Sequence, residues 1–356
     1  MKQEIIKKMA DSLRSLELDR DIHIMEVCGT HTTEFFRTGV RDIFPSGLHL
    51  IDGPGCPVCV TPNTYLDRAI QTAIEHDVIL ASFGDMIRVP SSYSSLAMEK
   101  TRGMDIRTVY SPMGALDIAE ENRHRQVVFL SVGFETTAPA EAAAVIEARD
   151  RGIDNFSILP GNKLTIPAVR ALLDAEEVNI DGFILPGHVS AVTGVRPWHF
   201  IPDEYGLPCV VAGFGPHELI IGTLSLISMI REGVNDVKNE YKTAVKDMGN
   251  TTAIDLMYSV FEPEDTVWRG IGMIPESGLG LRSRFTQFDA SKKFSVTLPE
   301  PREHAGCRCG ELLRGLITPP ECPLFGKGCR PESPVGPCMV STEGPCAAYY
   351  RYRRNQ

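Results

Sequence analysis

Six cysteines crowd the last part of the chain and are its strongest chemical signal. They lie within 40 residues of one another, whereas the four other cysteines are spread over the rest of the sequence. The six are Cys307, Cys309, Cys322, Cys329, Cys338 and Cys346. Such clustering indicates metal or redox chemistry rather than a structural disulfide framework, which a reducing compartment disfavours.

The spacing of these six thiols favours an iron–sulfur centre over zinc. Zinc sites usually carry pairs of C-x2-C knuckles, and the tail contains none. Six thiols also exceed the four ligands that a zinc ion or a cubane cluster takes, so four ligands plus one redox-active pair fits the count. Spacing alone leaves open which four are ligands, and a structural zinc site remains the alternative.

A second thiol motif is the C-x-x-C pair of Cys56 and Cys59 in "DGPGCPVCVTP". This spacing is typical of thiol–disulfide motifs. The preceding run "HLIDG" predicts a strand, but Pro57 and Pro62 predict a loop where a thioredoxin-like pair would open a helix. A redox pair, a metal-binding pair and a simple turn all remain open at this point.

The third candidate is Cys28 in "EVCGTHTTEFF". It follows a predicted strand and precedes a helix predicted from about Thr32, so the helix N-terminus should favour its thiolate, the form that binds metal or attacks. His31 is then within reach as a second ligand or proton donor, and Gly29 would let a ligand approach the backbone. Cys209 lies inside an apolar run and is predicted to be core packing.

The region from Ile22 to about Arg231 alternates short apolar runs, Gly-rich turns and helical stretches, which predicts an α/β fold with parallel sheets. The strand candidates are "IHIMEVCG", "LHLIDGPG", "VILASFGD", "VVFLSVGF", "FSILPG", "GFILPG" and "CVVAGFG". Ligands bind beyond the carboxyl edge of such sheets. The polar residues expected at that edge are Cys28, Thr30, His31, Cys56, Cys59, Asp85, Glu135, Thr136, Thr137 and His188.

We divide the chain into an N-terminal helix (1–20), two α/β units (21–120 and 121–240) and a C-terminal domain (241–356). The second boundary is placed where a helix ending in "EENRHRQ" leads into a new strand at Val127. Beyond 240, "GMIPESGLGLRSRF" is Gly-rich and is predicted to be irregular. The tail has few large aliphatic side chains, so a bound metal centre should organise it.

Charge and hydropathy exclude several classes of function. A net charge of -10 makes a nucleic acid an improbable partner. The sequence has no apolar run of the ~18 residues that span a bilayer, and its charged N-terminus is unlike a signal peptide. We therefore expect a cytoplasmic protein that contacts neither nucleic acid nor membrane.

Several long motifs together resemble the hydrogenase maturation factor HypD family. They are "CGTHT" (28–32), "GPGCPVC" (53–59), "GFETTAP" (133–139), "LPGHVSAVTG" (185–194) and the tail from "CRCGELLRG" to "PVGPCMVSTEGPCAAYY". The resemblance runs from about residue 20 to the end of the chain. It implies two parallel-sheet α/β domains plus a C-terminal [4Fe–4S] domain resembling ferredoxin–thioredoxin reductase.

The resemblance also implies a function and its residues. HypD proteins hold the iron of nickel–iron hydrogenases, with a HypC-type small chaperone, while two cyanides and one carbon monoxide are added; HypE with HypF supplies the cyanide. By this pattern Cys28 binds that transient iron, and Cys56 and Cys59 are a redox pair. The cluster ligands implied are Cys307, Cys322, Cys329 and Cys346, and the redox thiols beside the cluster are Cys309 and Cys338.

Three hypotheses follow from the sequence. The first is an assembly scaffold that carries iron and passes electrons through thiols. The second is an iron–sulfur thiol–disulfide reductase that acts on a protein partner and needs no iron at Cys28. The third is a zinc-stabilised α/β binding module.

Overall fold

The computed structural model describes residues 2–175, 177 and 179–353. Residue 1 and residues 354–356, which belong to the first and last predicted divisions, lie outside the described residues. The strands are β1 (Ile22–Glu26), β2 (Leu48–Asp52), β3 (Ile79–Ser82), β4 (Ile106–Thr108), β5 (Val127–Ser131), β6 (Phe156–Pro160), β7 (Gly182–Leu185), β8 (Cys209–Val211), β9 (Val237–Asn239), β10 (Phe261–Trp268) and β11 (Gly272–Leu281).

Helices fill the connections between the strands and form much of the tail. They are α1 (Lys2–Arg14), α2 (Gly29–Arg37), α3 (Pro57–Val60), α4 (Asn63–His76), α5 (Gly84–Ile87), α6 (Leu96–Thr101), α7 (Pro112–Glu121), α8 (Ala138–Asp150), α9 (Thr165–Asp174), α10 (Gly187–Thr193), α11 (Phe200–Tyr205), α12 (Pro216–Glu232), α13 (Thr251–Val260), α14 (Ala290–Lys293), α15 (Cys309–Leu313), α16 (Pro337–Val340) and α17 (Pro345–Arg353). Short 3-10 helices span Arg41–Ile43, Arg196–His199, Ser283–Phe288 and Pro319–Glu321.

Two parallel sheets form the frame of the protein and confirm the predicted α/β class. One sheet has the order β2-β1-β7-β8-β9, and the other has the order β4-β3-β5-β6. Each of the seven predicted apolar runs is a strand. Their side chains are almost all buried, because helices cover both faces of a parallel sheet.

The two sheets do not follow the division predicted at residue 121. The chain leaves the first sheet after β2, builds the whole second sheet, and returns at β7, which pairs with β1. Strands β3 and β4 therefore belong with β5, on the other side of the predicted boundary. The helix α7 is a crossover within one sheet, and in sequence such a crossover resembles a domain boundary.

The segment predicted to be irregular is a β-strand, so that prediction was wrong. Strand β11 pairs antiparallel with β10 over most of its length. A Cβ at Gly278 would collide with Thr266, and one at Gly280 would collide with Glu264. Glycines that let a neighbouring side chain cross the strand hide the alternating pattern by which a strand is normally recognised.

The tail packs directly on the first sheet's helix α2. Helix α17 contacts α2, with the rings of Phe36 and Tyr349 at 4.7 Å between centroids. The Arg41 guanidinium lies 4.7 Å from the Phe36 ring and also donates to the Tyr349 hydroxyl. At the other end of the chain, α1 packs on α12, as expected of an N-terminal helix.

Among the residues that the structure describes, none of the helices is both long enough and apolar enough to cross a bilayer.

A core substitution tests the second sheet. Phe129 in β5 is fully buried and meets Phe83 edge-on at 5.4 Å. Phe129→Ala should lower the free energy of unfolding by about 3–5 kcal/mol, measured by urea denaturation. The matched control is Met273→Ala, at a position that is 63% exposed, which should change it by less than about 0.5 kcal/mol. Equal effects of the two substitutions would contradict this packing.

Candidate functional site

The carboxyl ends of strands from both sheets face a common cleft with an empty volume of 1610 Å³. Because strands of both sheets end at this cleft, residues far apart in sequence share its walls. Cys28, Thr30, Asp85, Thr136, Thr137 and His188 from the predicted polar edge line this cleft. The tail contributes Ser341 and Glu343.

Not every residue of the predicted polar edge reaches the cleft. Glu135 turns away and accepts hydrogen bonds from the backbone and hydroxyl of Thr165, both at 2.8 Å, at the start of α9. Cys56 and Cys59 lie just behind the wall, which at that point is made of Gly55, Pro57 and Val58.

Cys28 is the cleft's only cysteine among the described residues and is 7% exposed. It is the N-cap residue of α2, which begins at Gly29 and so confirms the predicted strand–cysteine–helix order. Its backbone N–H donates to Glu26 at 2.7 Å. Its sulfur faces the backbone N–H groups of Thr30 and His31, which favour a thiolate.

Burial nevertheless outweighs these amides in the metal-free protein. Desolvation, with a contribution from the nearby Glu26 carboxylate, raises the pKa of Cys28 to about 12. The helix N-terminus thus favours the thiolate, as the sequence predicts, but burial keeps the thiol protonated in the metal-free protein. A metal ion that replaces the proton would reverse this balance, because binding supplies the missing positive charge.

His31 is placed differently from the prediction. Its imidazole Nε2 lies 3.2 Å from the Ala212 carbonyl and 3.1 Å from the Gly213 carbonyl, beyond the end of β8. Its ring stacks on Phe214 at 4.6 Å, and Phe214 stacks in turn on His188 at 4.0 Å. Burial lowers the pKa of His31 to about 4. The backbone N–H of His31, rather than its side chain, interacts with the Cys28 sulfur. The neutral ring contacts the turn between β8 and α12 and holds it in place.

The tail loop Ser341–Glu343 ties the two walls of the cleft together. Thr30 donates to Glu343 at 2.7 Å, and Thr33 donates to the Thr342 carbonyl at 2.9 Å. Asp85, beyond the end of β3, accepts from Ser341 at 3.2 Å. A Cβ at Gly29 would collide with Glu343. The glycine of the "CGTH" motif therefore makes room for the tail rather than for a ligand.

The motif thiols Cys56 and Cys59 are joined by a disulfide. Cys56 is the N-cap of the single helical turn α3, and its sulfur accepts from the Cys59 N–H at 3.2 Å. The prediction of a loop here was wrong, because Pro57 occupies the first helical position, where it lacks no needed hydrogen bond. A Cβ at Gly55 would collide with the backbone of Cys28, so the two thiol motifs are in direct backbone contact.

All six tail cysteines line one small cavity of 350 Å³. Its other walls are largely apolar and include Leu312, Leu324, Phe325 and Met339. Burial raises the pKa of Cys329, Cys338 and Cys346. Cavities lined by protonated thiols are unfavourable places for water, and they suit a centre that takes up thiolates.

Two of the six thiols are nearly in contact. The sulfurs of Cys309 and Cys338 lie 2.6 Å apart, and both side chains are buried. A hydrogen bond between the Cys307 and Cys309 thiols raises the pKa of Cys307. This geometry brings the predicted pair together and leaves the other four cysteines around the rest of the cavity.

The donor set fits an iron–sulfur cluster. Four thiols remain once the contacting pair is set aside, which is the number that a cubane takes. In residues 2–175, 177 and 179–353, no three Cys, His, Asp or Glu side chains converge tightly enough to hold one metal ion. A cubane needs no such convergence, since each of its irons takes its own thiolate.

The disulfide and the cavity are neighbours. The short helix α3 packs against both α15, which begins at Cys309, and α16, which contains Cys338. Cys56, Cys59, Cys309 and Cys338 also belong to one continuous buried cluster of side chains. Cys28, the disulfide and the tail thiols thus adjoin one another in the interior. Cys209 is part of the same buried cluster but lines neither the cleft nor the cavity, and it is core packing in β8, as predicted.

Sequence reasoning missed Glu343 and Arg269 as parts of this site. Glu343 lies between two cysteines in "CMVSTEGPC", and a charged residue there could have been noticed. Arg269 follows a buried Trp in a stretch with no motif, and only the fold brings it to the cysteines.

The fold and the site define an α/β protein in which a cleft thiol, a buried disulfide and a six-cysteine cavity adjoin one another. Comparison with known proteins identifies the family. A family model named HypD and described as "Hydrogenase formation hypA family" matches residues 2–353, so the chain belongs to the HypD family.

Relatives in several bacteria match nearly the whole chain. "Hydrogenase maturation factor HypD" of Rhodobacter capsulatus is 43% identical over 353 residues, covering 98% of this chain and 93% of the relative. "Hydrogenase maturation factor HypD" of Escherichia coli (strain K12) is 41% identical and covers 99% and 95%. "Hydrogenase expression/formation protein HupD" of Azotobacter chroococcum mcd 1 is 42% identical and covers 95% and 91%.

The environment of Cys28 gives a test by alkylation. At pH 8, Cys28 of the folded, metal-free protein should react with iodoacetamide roughly a thousandfold more slowly than in urea-unfolded protein, because its pKa is about 12. The rate in the unfolded protein should level off above the ordinary thiol pKa of about 8.5, whereas the folded rate should keep rising with pH. Timed alkylation followed by mass spectrometry of the Cys28 peptide measures both; equal rates would contradict the burial of this thiol.

Proposed function

We propose that this protein is a cytoplasmic scaffold for hydrogenase maturation, on which the iron of a nickel–iron hydrogenase receives its two cyanides and carbon monoxide. The observation that carries the proposal is the continuity of three thiol sites. Cys28 lies in the cleft, its backbone contacts the loop of the Cys56–Cys59 disulfide, and that disulfide's helix packs on the six-cysteine cavity. Membership of the HypD family supports it.

The tail cavity holds a [4Fe–4S] cluster in this proposal, and the tail is the domain that resembles ferredoxin–thioredoxin reductase. The ligands are Cys307, Cys322, Cys329 and Cys346, and the contact between Cys309 and Cys338 supports leaving those two as the redox pair. When bound, the cluster supplies electrons one at a time. A dithiol stores two electrons, so the pair can collect them.

Electrons then pass from the Cys309–Cys338 pair to the Cys56–Cys59 disulfide. Reduction of the disulfide consumes two electrons and two protons and yields two thiols, while Cys309 and Cys338 lose two electrons and two protons and form a disulfide. The packing of α3 on α15 and α16 supports this route of transfer. The cleft receives reducing equivalents without opening the cavity to solvent.

Cys28 binds the iron cargo. The cargo is the substrate of the scaffold, and it enters from the cleft on the side that carries Thr30, His188 and Glu343. Iron displaces the thiol proton, and the Thr30 and His31 amides stabilise the resulting thiolate. Thiolate is a soft donor suited to iron that carries cyanide and carbon monoxide.

The proposed partners are a HypC-type small chaperone, which shares the iron, and HypE with HypF, which supply the cyanide. Cys28 lines the cleft of 1610 Å³ empty volume, which supports an approach of the partner from that side. A net charge of -10 on the chain speaks against a nucleic acid.

The alternative function, a thiol–disulfide reductase acting on a protein partner, is less well supported. Cys56 is 2% exposed and Cys59 is 0% exposed. Exchange with a protein disulfide requires access to the attacking sulfur. The buried pair is better placed to exchange electrons within the chain.

Ligand and redox cysteines can be told apart by substitution. Cys322→Ala should abolish the brown chromophore and the broad visible absorption of anaerobically purified or reconstituted protein, because a cubane loses one of its four ligands. The matched control is Cys209→Ala, which removes a buried thiol outside the cavity and should keep full iron and sulfide content. Retention of the cluster in Cys322→Ala would overturn the ligand assignment.

The same measurement applies to the proposed redox pair. Cys338→Ser should keep iron, sulfide and chromophore but should stop reduction of the Cys56–Cys59 disulfide when the cluster is reduced. Mass spectrometry after alkylation counts the free thiols at positions 56 and 59. If Cys338→Ser loses its cluster while Cys322→Ala keeps one, ligand and redox roles have been assigned the wrong way round.

Cys28→Ala separates the scaffold from the reductase. In complex with the HypC-type chaperone, the variant should lose the infrared bands of iron-bound cyanide and carbon monoxide, since the cargo has lost its thiolate. The tail cluster and the disulfide should remain, because neither uses this sulfur. A reductase would give the reverse pattern, with full thiol exchange in Cys28→Ala, and unchanged infrared bands would overturn the scaffold mechanism.

A further inference from the structure

A buried arginine lies between the disulfide segment and the tail cavity. Arg269 occupies the turn between β10 and β11, and it is only 6% exposed. Together with Cys307 and Cys309 it lines a second cavity, of 990 Å³ empty volume, that adjoins the six-cysteine cavity. An arginine is almost never fully buried unless it is paired, so its position calls for an explanation.

Its guanidinium is held on one side by the segment that follows the disulfide helix. Nε donates to the Thr61 carbonyl at 2.9 Å, and another nitrogen donates to the Asn63 side chain. The backbone N–H of Arg269 donates to the Val60 carbonyl at 2.8 Å. These bonds fix the charge just beyond α3.

The positive charge is only partly neutralised. The Arg269 partner carboxylate, Glu303, lies at 3.1 Å but is 61% exposed, so water screens it. The Thr61 and Asn63 oxygens are neutral. A large part of the guanidinium field therefore acts on the protein interior, where the effective dielectric constant is low.

The tail cysteines lie within that field. Arg269 lines the same cavity as Cys307 and Cys309, so its charge lies beside the two cysteines at the start of the tail centre. A main-chain contact reinforces the placement, because the backbones of Gly270 and Gly310 touch where a Cβ on either would collide. The β10–β11 turn is thus pressed against the start of α15.

We propose that Arg269 is a positioning residue that sets the reduction potential of the tail centre. Its fixed charge stabilises the extra negative charge that a thiolate-bound cluster gains on reduction, and so raises the potential of that cluster. The inference rests on the proposed function, since it concerns the cluster. It assigns a role in electron transfer to a residue outside the cysteine motifs.

The experiment compares the one-electron reduction of the cluster in wild type, Arg269→Met and Arg269→Lys, by titration against redox mediators with detection by electron paramagnetic resonance. In Arg269→Met the equilibrium constant for reduction should fall about tenfold, a shift of about 59 mV to more negative potential. Arg269→Lys keeps the charge and should stay close to wild type. Arg282→Met is the control, since Arg282 binds Glu262 and the Tyr258 carbonyl at the other end of the hairpin.

The outcomes separate this inference from the proposed function. A wild-type protein that takes up no cluster refutes the proposed function and the inference with it. If the wild-type protein takes up a cluster whose potential is unchanged in Arg269→Met, the inference alone is overturned. An equal shift of potential in Arg269→Met and Arg269→Lys also overturns it, because the shift would then come from the lost hydrogen bonds of Arg269 and not from its charge. If Arg269→Met does not retain a cluster, Arg269→Gln replaces it. If Arg269→Met and Arg269→Gln both lose the cluster while Arg269→Lys keeps it, the result supports a role of the positive charge at the tail centre. If all three variants lose the cluster, the inference is overturned.

Discussion

The docking of the tail on the mouth of the cleft is the constraint on which the rest of the site depends. The tail beyond residue 301 has few large aliphatic side chains, so it gains little from burial of its own surface. Its position is fixed by the hydrogen bonds of Ser341–Glu343 to α2 and to Asp85, and by the rings of Phe36 and Tyr349. Because this loop lies between Cys338 and Cys346, the same contacts that shape the cleft also close the cysteine cavity.

Much of the frame follows from the sequence, because strands buried on both faces are continuous apolar runs. Strands β4 (IRT) and β9 (VKN) were missed because each contains only one apolar residue, whereas the equally short β8 (CVV) is apolar throughout and was found. The β10–β11 hairpin was missed because its glycines interrupt the alternation. The order of strands in a sheet is a non-local property, so the sequence could not show that β7 returns to β1. The cysteines were found because thiols are chemically conspicuous. The His31 ring, Glu343 and Arg269 obtained their roles from tertiary contacts between distant segments.

The thiols of the site share one property, which is that burial keeps them protonated. The pKa of Cys28 is raised by burial to about 12, and burial also raises the pKa of Cys338 and Cys346. Such thiols are poor nucleophiles, so they resist unwanted alkylation and oxidation. They become thiolates when a metal takes the place of the proton. On the proposed function, burial keeps the cleft thiol and the six tail thiols unreactive until a metal binds, so the metal itself selects which sulfurs become thiolates.

The interleaved order of the two sheets has a consequence for folding of the chain during its synthesis on the ribosome. Strands β1 and β2 emerge first, but the next neighbour of β1 is β7, which begins at residue 182. The complete second sheet, residues 79–160, is synthesised in between. One edge of β1 therefore stays without its partner while more than a hundred further residues are translated, and unpaired edges are sites of aggregation. The second sheet is free to fold as soon as it leaves the exit tunnel, and it then stands as a ready surface on which the flanking halves of the first sheet can close.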